Sequence, residues 1–175
     1  MSYRLGLELA TYRQLYESGV DIRQWNPSLG PLPFTPGRLL KPIQFPPAES
    51  GIERMVLDGP SWPDALSTCP DYSLPVGQPI ILELGRGPEP FGRIVPSSHS
   101  ITDGDSEISH CLIDASTYRN ENEDQADWGA NLLFKLGAVV LLPRHPLEAG
   151  HHYSVSIDIG SAQYSWTFAT APAAR

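Results

Sequence analysis

The chain has 175 residues, a net charge of −8 at neutral pH, and 18 prolines and 15 glycines. This length suits one large domain or a domain with an extension, and so many helix-breaking residues argue against a helical bundle. The 12 lysines and arginines form no basic cluster with interleaved aromatics, which argues against a nucleic-acid partner, and no apolar run approaches the roughly 20 residues that span a membrane.

The first fifty residues predict a separate N-terminal unit made of a helix and an extended segment. Within residues 7–18, apolar and aromatic residues recur at helical spacing, and Gly19 supplies a stop. Residues 26–50 hold seven prolines and cannot form a long regular element, so we expect them to run over the surface of another unit. The apolar anchors of this segment would be Leu32, Phe34, Leu39 and Phe45.

Residues 51–175 predict one β-sandwich domain. Apolar and polar residues alternate along short stretches, which is typical of strands; along residues 79–85, Ile80, Leu82 and Leu84 share one face. Short connections favour antiparallel pairing, and "TDGDSE" between two such stretches is a hairpin signal. The predicted strands lie within 51–60, 79–85, 98–101, 108–114, 138–143, 151–160 and 163–170.

Residues 120–137 predict a second helix. Its first turn is acidic, which suits the positive end of a helix dipole. Trp128, Leu132 and Leu136 then fall at positions i, i+4 and i+8, the spacing of residues on one helix face.

The stretch from Leu147 to Tyr153 has the pattern Leu-x-x-Gly-x-x-Tyr and leads into an alternating strand. In immunoglobulin-like sandwiches, a tyrosine near the start of a late strand hydrogen-bonds back to the chain just before it. Leu147 would pack into the core, and Gly150 would adopt the backbone conformation of the tight turn. Tyr153 would hold the corner between the sheets by a hydrogen bond to the backbone. This pattern favours an immunoglobulin-like fold.

The same stretch is rich in histidine, so a zinc site is the alternative interpretation. Zinc would require His145, His151 and His152 to converge on one point. Adjacent residues of an extended chain point in opposite directions, and no cysteine or carboxylate cluster nearby completes a set of four ligands. The pattern therefore favours a structural corner with His151 and His152 facing solvent, and no metal or other cofactor is expected.

The C-terminal part of the chain resembles known bacterial domains. "AVVLLPRHPLEAGHHYSVSI" followed by "YSWTFAT" is similar to the end of bacterial immunoglobulin-like (Big or fibronectin-like) domains. The longer string from "SHSITDGDSE" to "HHYSVSIDI" resembles the C-terminal region of bacterial secreted proteins with a CAP (SCP-like) domain, where a "Cys...Asp...Tyr-x-Asn" segment leads into a short helix. The resemblance covers about residues 70–171.

This resemblance implies an immunoglobulin-like accessory module and an exported location. The chain departs from the family because a CAP domain needs an αβα sandwich with a His and Glu cavity. Residues 1–69 are too short and too rich in proline to supply it. The resemblance therefore carries over no catalytic or binding residue.

The two cysteines, Cys69 and Cys111, either pair or remain as buried thiols. A bridge would close a loop of about 42 residues. By reducing the entropy of the unfolded chain, it would stabilise the folded state by roughly 4 kcal/mol. The start of the chain lacks the apolar core of a signal peptide, so the protein is either cytoplasmic or the mature part of a longer precursor. The exported location that the resemblance implies favours the precursor and supports the disulfide.

Two acidic stretches and a few histidines are the remaining candidates for chemistry. Residues 103–107 and 121–127 carry several carboxylates but lack the full ligand series of a calcium loop, so a hairpin tip and a helix start are the preferred interpretations. A small hydrolase would use His99 or His110 with a serine, or His110 with Cys111. No Gly-x-Ser-x-Gly turn is present, and neighbours in a strand face opposite sides.

The four tryptophans are candidates for an exposed sugar-binding platform, although packing in a core or interface is the simpler interpretation. Trp62 is the best candidate for exposure because prolines flank it at 60 and 63. The other tryptophans are Trp25, Trp128 and Trp166.

Together these features predict a non-catalytic extracellular or cell-surface module that mediates assembly or adhesion through a protein partner or a neighbouring subunit. One alternative is a carbohydrate- or ligand-binding module centred on Trp62. A second alternative is a small hydrolase centred on His110.

Overall fold

A computed structural model of the chain describes residues 42–52, 56–59, 61, 63–85 and 94–173. The predicted helix over 7–18, the first part of the proline-rich segment, and Trp62 lie outside the described residues.

Nine strands of the described chain form two stacked sheets. The four-stranded sheet contains β1 (Ile43–Phe45), β5 (Ile80–Glu83), β8 (His110–Ile113) and β9 (Ala138–Pro143), in the order β1-β5-β9-β8. The five-stranded sheet contains β2 (Gly51–Ile52), β6 (Ser98–Asp103), β7 (Ser106–Glu107), β10 (His152–Ile159) and β11 (Ala162–Thr170), in the order β2-β11-β10-β6-β7. Neighbours are antiparallel except β2, which runs parallel to β11.

A hydrophobic core fills the space between the two sheets. Alternate residues point inward, as the two-residue period of a strand requires. The four-stranded sheet contributes Ile80 and Leu82, which pack with Val155, Ile157 and Phe168 of the five-stranded sheet. The prediction of a mainly β, antiparallel sandwich is confirmed.

A second core covers the opposite face of the four-stranded sheet. Its centre is made by Ile81, Val140 and Leu142, which alternate with the residues of the first core. A helix, α1 (Glu123–Leu136), and the small ribbon of β3 (Val56–Leu57) and β4 (Val76–Gly77) belong to this layer. Because both faces are covered, strands β5 and β9 are buried along their whole length.

Helix α1 confirms the helix predicted over 120–137. The Asn122 side chain accepts a hydrogen bond from the Gln125 N–H at its start, and Gly137 ends it in the left-handed conformation that glycine adopts without strain. The helix turns Gly129 toward the core, where an added Cβ would lie 2.3 Å from the ring of Tyr118. Leu133 faces the core and Trp128 is half exposed, so packing in a core is wrong for Trp128, and packing in an interface stays a prediction.

A disulfide joins Cys69 and Cys111, as expected. Cys69 follows a short 3-10 helix (Leu66–Thr68), and Cys111 lies on the edge strand β8. The bridge therefore ties the loop that precedes β4 to the four-stranded sheet. No described helix has the length and apolar character that crossing a membrane requires.

The end of the proline-rich segment passes from one sheet to the other. β1 pairs with β5 at the edge of the four-stranded sheet, and Phe45 packs against the second core. The chain then crosses to the five-stranded sheet, where the Pro46 carbonyl accepts a hydrogen bond from the Trp166 indole at 2.9 Å. Three residues on, the Glu49 N–H donates to the Thr167 carbonyl at 2.8 Å.

Candidate functional site

The corner before β10 has Tyr153 hydrogen-bonded to the preceding turn. Its hydroxyl accepts a hydrogen bond from the Glu148 N–H at 2.8 Å, and its ring is buried. Leu147 packs into the core between the sheets, and Gly150 has a φ of 77°, which favours glycine. The three residues of the predicted corner thus lie in the arrangement that the motif requires.

His151 is not idle in solvent, which corrects the expectation for this histidine. Its Nδ1 lies 2.5 Å from the Asp103 carboxylate at the end of β6, and its Nε2 lies 3.2 Å from a carboxylate oxygen of Glu148. The hydrogen bond to Asp103 raises the pKa of His151, and the negative charges of Asp103 and Glu148 act in the same direction. The corner therefore holds a contact that joins the end of β6 to the turn before β10 and favours the protonated form of His151.

The structure does not bring the predicted zinc ligands to one point. His151 is engaged by carboxylates, while His145 and His152 are exposed. Among the described residues, no group of three or more His, Cys, Asp and Glu side chains is arranged to hold a metal ion. In the two acidic stretches, Asp103 pairs with His151 and Asn122 caps α1.

A second histidine contact lies at the other end of β6. His99 Nδ1 is 2.8 Å from His110 Nε2, and the two rings meet edge to face. His110 Nδ1 lies 2.7 Å from the Ile108 carbonyl, which can only accept, so this nitrogen carries the proton. Burial lowers the pKa of His99, and the neighbouring His110 lowers it further.

Two features of this contact argue against the interpretation of the protein as a small hydrolase. The sulfur of Cys111 is part of the disulfide and cannot act as a nucleophile. His110 lies on the face of β8 opposite Cys111, as alternate strand positions require, and its ring nitrogens are directed at His99 and a backbone carbonyl.

Glu83 is a buried carboxylate that the sequence pattern did not single out. It lies at the end of β5 with 1% of its surface exposed, and among the described residues its Oε2 has no hydrogen-bond partner. Burial raises its pKa to about 7. The two-residue period of β5 places Glu83 on the face opposite Ile80 and Leu82, and the second core covers that face.

The "Cys...Asp...Tyr-x-Asn" segment has a structural role. The Oδ1 of Asp114 accepts hydrogen bonds from the N–H groups of Ser116 and Thr117, which shapes the turn after β8. The Tyr118 hydroxyl donates to the Asp64 carbonyl at 3.2 Å, and its ring packs under Gly129 of α1. The segment therefore joins α1 to the disulfide-bearing loop.

Two open clefts lie on the described surface. One, of about 570 Å³, runs over the outer face of the five-stranded sheet, where short hydroxyl side chains such as Ser100, Ser156 and Ser165 line it. The other, of about 460 Å³, lies on the outer face of α1. The residues that line the second cleft are Asp124, Asp127, Trp128, Asn131, Leu132 and Lys135.

The tryptophans differ sharply in exposure. Trp166 is buried between the sheets, whereas Trp128 exposes 51% of its surface beside the cleft on α1. Sequence reasoning placed the exposed tryptophan at Trp62, which lies outside the described residues. The glycine that follows Trp128 was the sequence signal for this exposure. A helix that packs closely through a glycine places the adjacent residue at the side of the buried face.

Neither a protein-family model nor a curated protein matches the chain.

Proposed function

We propose that this chain is an immunoglobulin-like module of an exported protein that acts by binding a protein partner through the outer face of α1. The observation that carries the proposal is the half-exposed Trp128 beside a cleft on a firmly anchored helix. The module itself carries out no chemistry.

The strand order supports the immunoglobulin-like assignment. In that fold, strands A, B, E and D form one sheet, and C, F and G form the other. Assigning β1, β5, β9 and β8 to A, B, E and D, and β6, β10 and β11 to C, F and G, reproduces both orders. Tyr153 then falls near the start of strand F, where the corner tyrosine of this fold lies. The disulfide differs, because it does not join strands B and F.

The exported location is supported by the disulfide. Disulfides persist in oxidising compartments and are rare where thiols are kept reduced. Both cysteines of the chain are used in the single bridge. The pairing of β1 with β5 also supports the proposal that the N-terminal segment over 1–50 packs against the sandwich.

The surface on α1 has the composition of a binding surface for a protein. Interfaces place an aromatic anchor at the centre and polar groups at the rim. Here Trp128 and Leu132 provide the apolar centre, and Asp124, Asp127 and Lys135 surround it. Because the chain carries a net charge of −8, the partner surface is expected to be apolar with basic residues at its edge.

The test is the selection of a phage-displayed peptide library on the immobilised protein, followed by affinity measurements with variants. Trp128→Ala is expected to weaken binding of the selected peptides at least about tenfold, as loss of a central aromatic does in other interfaces. Phe134→Ala is the matched control because Phe134 is exposed on the same helix but does not line the cleft. Its affinity is expected to stay within about twofold of wild type.

The proposal fails if the library enriches no peptide, or if the selected peptides bind Trp128→Ala as well as they bind the wild type. Circular dichroism and thermal melting of both variants would show that the fold is retained.

A carbohydrate ligand is the second candidate for the same surface. An indole ring can stack on the apolar face of a sugar, and the carboxylates of Asp124 and Asp127 with the amide of Asn131 supply hydrogen-bonding groups around it. Glycan-array binding that Trp128→Ala abolishes, with no peptide enriched, would favour this candidate over the protein partner.

A further inference from the structure

The stretch of residues 22–48 differs in charge from the rest of the chain. It contains Arg23, Arg38 and Lys41 and no aspartate or glutamate, although the net charge of the whole chain is −8. Within this stretch, residues 26–41 hold four prolines, several apolar residues and two of the three cations. We refer to residues 26–41 as the basic segment, because it joins positive charge to a proline-rich apolar sequence.

The cleft on α1 has the complementary character. Trp128 and Leu132 give it an apolar centre, and Asp124 and Asp127 line the end nearer the start of the helix. Proline-rich chains favour the extended polyproline II conformation, and grooves with aromatic side chains bind it because little conformational entropy is lost. Cationic side chains that flank the prolines pair with carboxylates at the rim of such a groove. The composition of the cleft therefore fits the basic segment.

The first described strand begins close to the end of α1. Ile43 pairs with Glu83 at the edge of the four-stranded sheet, and Glu83 pairs with Ala138, the first residue after the glycine that ends α1. Two strand spacings of about 4.8 Å each therefore separate Ile43 from the strand that follows the helix. Trp128 lies nine residues before Gly137, which is about 14 Å along the helix axis.

The basic segment is long enough to reach the cleft from the start of β1. In the polyproline II conformation its 16 residues would extend about 50 Å, at about 3.1 Å per residue. Helix α1 is about 21 Å long and about 10 Å across. The path from β1 around the end of α1 to Trp128 is shorter than the extended segment, so the segment of the same chain can occupy the cleft.

We propose that residues 26–41 bind the cleft on α1 of their own chain. Phe34 and the prolines around it contact Trp128, and the Arg38 guanidinium lies at the acidic end of the cleft. Because the contact is intramolecular, the effective concentration of the segment at the cleft is on the order of millimolar. An external partner must displace the segment before it binds. This regulation rests on the proposed function, whereas the docking of the segment does not.

The first test records the ¹⁵N indole signals of the full chain in the variant Phe34→Ala/Arg38→Ala, the segment variant. Loss of the aromatic ring and the cation releases the segment, so the Trp128 signal is expected to move toward the position of an indole in water. The Trp166 signal is expected to stay, because that indole is buried and donates to the Pro46 carbonyl.

Tyr3→Ala/Arg4→Ala is the matched control for the segment variant. It removes one aromatic residue and one cation that precede the basic segment, so neither indole signal should move. The wild-type Trp128 signal should also be the same at low and high protein concentration. A signal that moves with concentration as a dimer forms would place the segment on a second copy and contradict the intramolecular contact.

The second test measures, by fluorescence anisotropy, the affinity of a synthetic peptide with the sequence of residues 26–41. Because the wild-type cleft is already occupied, the peptide is expected to bind the segment variant at least about tenfold more tightly than the wild type. Adding Asp124→Asn/Asp127→Asn to the segment variant is expected to weaken this binding about threefold. Adding Glu121→Gln/Glu123→Gln removes the same charge outside the cleft and should leave the affinity unchanged.

The inference is overturned if the Trp128 signal is the same in the segment variant and the wild type, or if the peptide binds both with equal affinity. Library peptides that still require Trp128 would then support the proposed function alone. A Trp128 signal that moves as expected, with no library peptide bound to the segment variant, would support the docking of the segment and contradict the external partner.

Discussion

Strand β6 makes a histidine contact at each end, and the two contacts shift the pKa of a histidine in opposite directions. At one end the Asp103 carboxylate is hydrogen-bonded to the His151 imidazole and raises its pKa. At the other end His99 meets His110, and burial together with the second ring lowers the pKa of His99. Residue type does not decide the charge of a histidine; its partner and its burial do.

The contacts also differ in what surrounds them. The His151 ion pair is open to solvent and lies beside the Tyr153 corner, whereas the pair of His99 and His110 closes the edge between the sheets. The contact of His151 with Asp103 is expected to respond to pH and salt. The contact of His99 with His110 is expected to respond to a change that loosens β8.

The largest expected effect comes from opening the disulfide, which anchors β8 on the face opposite His110. The double variant Cys69→Ser/Cys111→Ser is expected to lose about 4 kcal/mol of unfolding free energy, since a loop of 42 residues is no longer closed in the unfolded chain. Urea denaturation checks the size. Hydrogen exchange should increase in β8 more than at the corner; equal increases at both ends would contradict the separation of the two contacts.

Glu83 extends the comparison because burial is the cause of its pKa shift. Its pKa is about 7 in the folded protein, above the ordinary 4.5, so the folded state holds the proton more tightly than the unfolded chain does. The stability that this proton provides is complete below pH 4.5 and is lost as pH rises through about 7.

Glu83→Gln removes this titration. Between pH 4 and pH 8, the unfolding free energy of the variant is expected to improve relative to wild type by about 3 kcal/mol. Denaturant titrations at both pH values measure the difference. A wild-type-minus-variant difference that does not change with pH would show that Glu83 keeps an ordinary pKa.

Tyr153→Phe tests the corner end alone. It removes the acceptor of the Glu148 N–H and is expected to cost about 1 to 2 kcal/mol, the usual cost of deleting one partner of a hydrogen bond. Thermal denaturation checks this value. The imidazole signals of His99 and His110 should not move; a shift there would mean that the two ends of β6 are coupled.

The smallest expected effect is the response of His151 to Asp103→Asn. Without the carboxylate, the pKa of His151 should fall toward 6.5, while the pKa of His99 should stay below that value. Titration of the imidazole signals by NMR measures both in one experiment. A His151 pKa that is the same in the variant and the wild type would show that Asp103 does not hold the charge.

Local patterns predicted the parts of this molecule that depend on nearby residues. The alternation along 151–160 and 163–170, the acidic first turn of α1, and the turn at the Tyr153 corner each involve residues a few positions apart. The contact of His151 with Asp103 spans 48 positions, and no local period links two such residues. The exposure of Trp128 also escaped prediction, because its spacing with Leu132 fits a buried stripe equally well.

The amino-acid sequence by itself determined a proline-rich β-sandwich with the helix over 120–137 and a tyrosine corner, since strand alternation, helical spacing and turn residues act over short distances. Only the tertiary structure decided that both faces of β5 are covered, because that depends on which layer packs beyond the sheet. It likewise decided that Glu83 is buried, that His151 contacts a carboxylate and that His99 contacts a second imidazole. Burial and long-range neighbours, which no short pattern records, set the charge of those side chains.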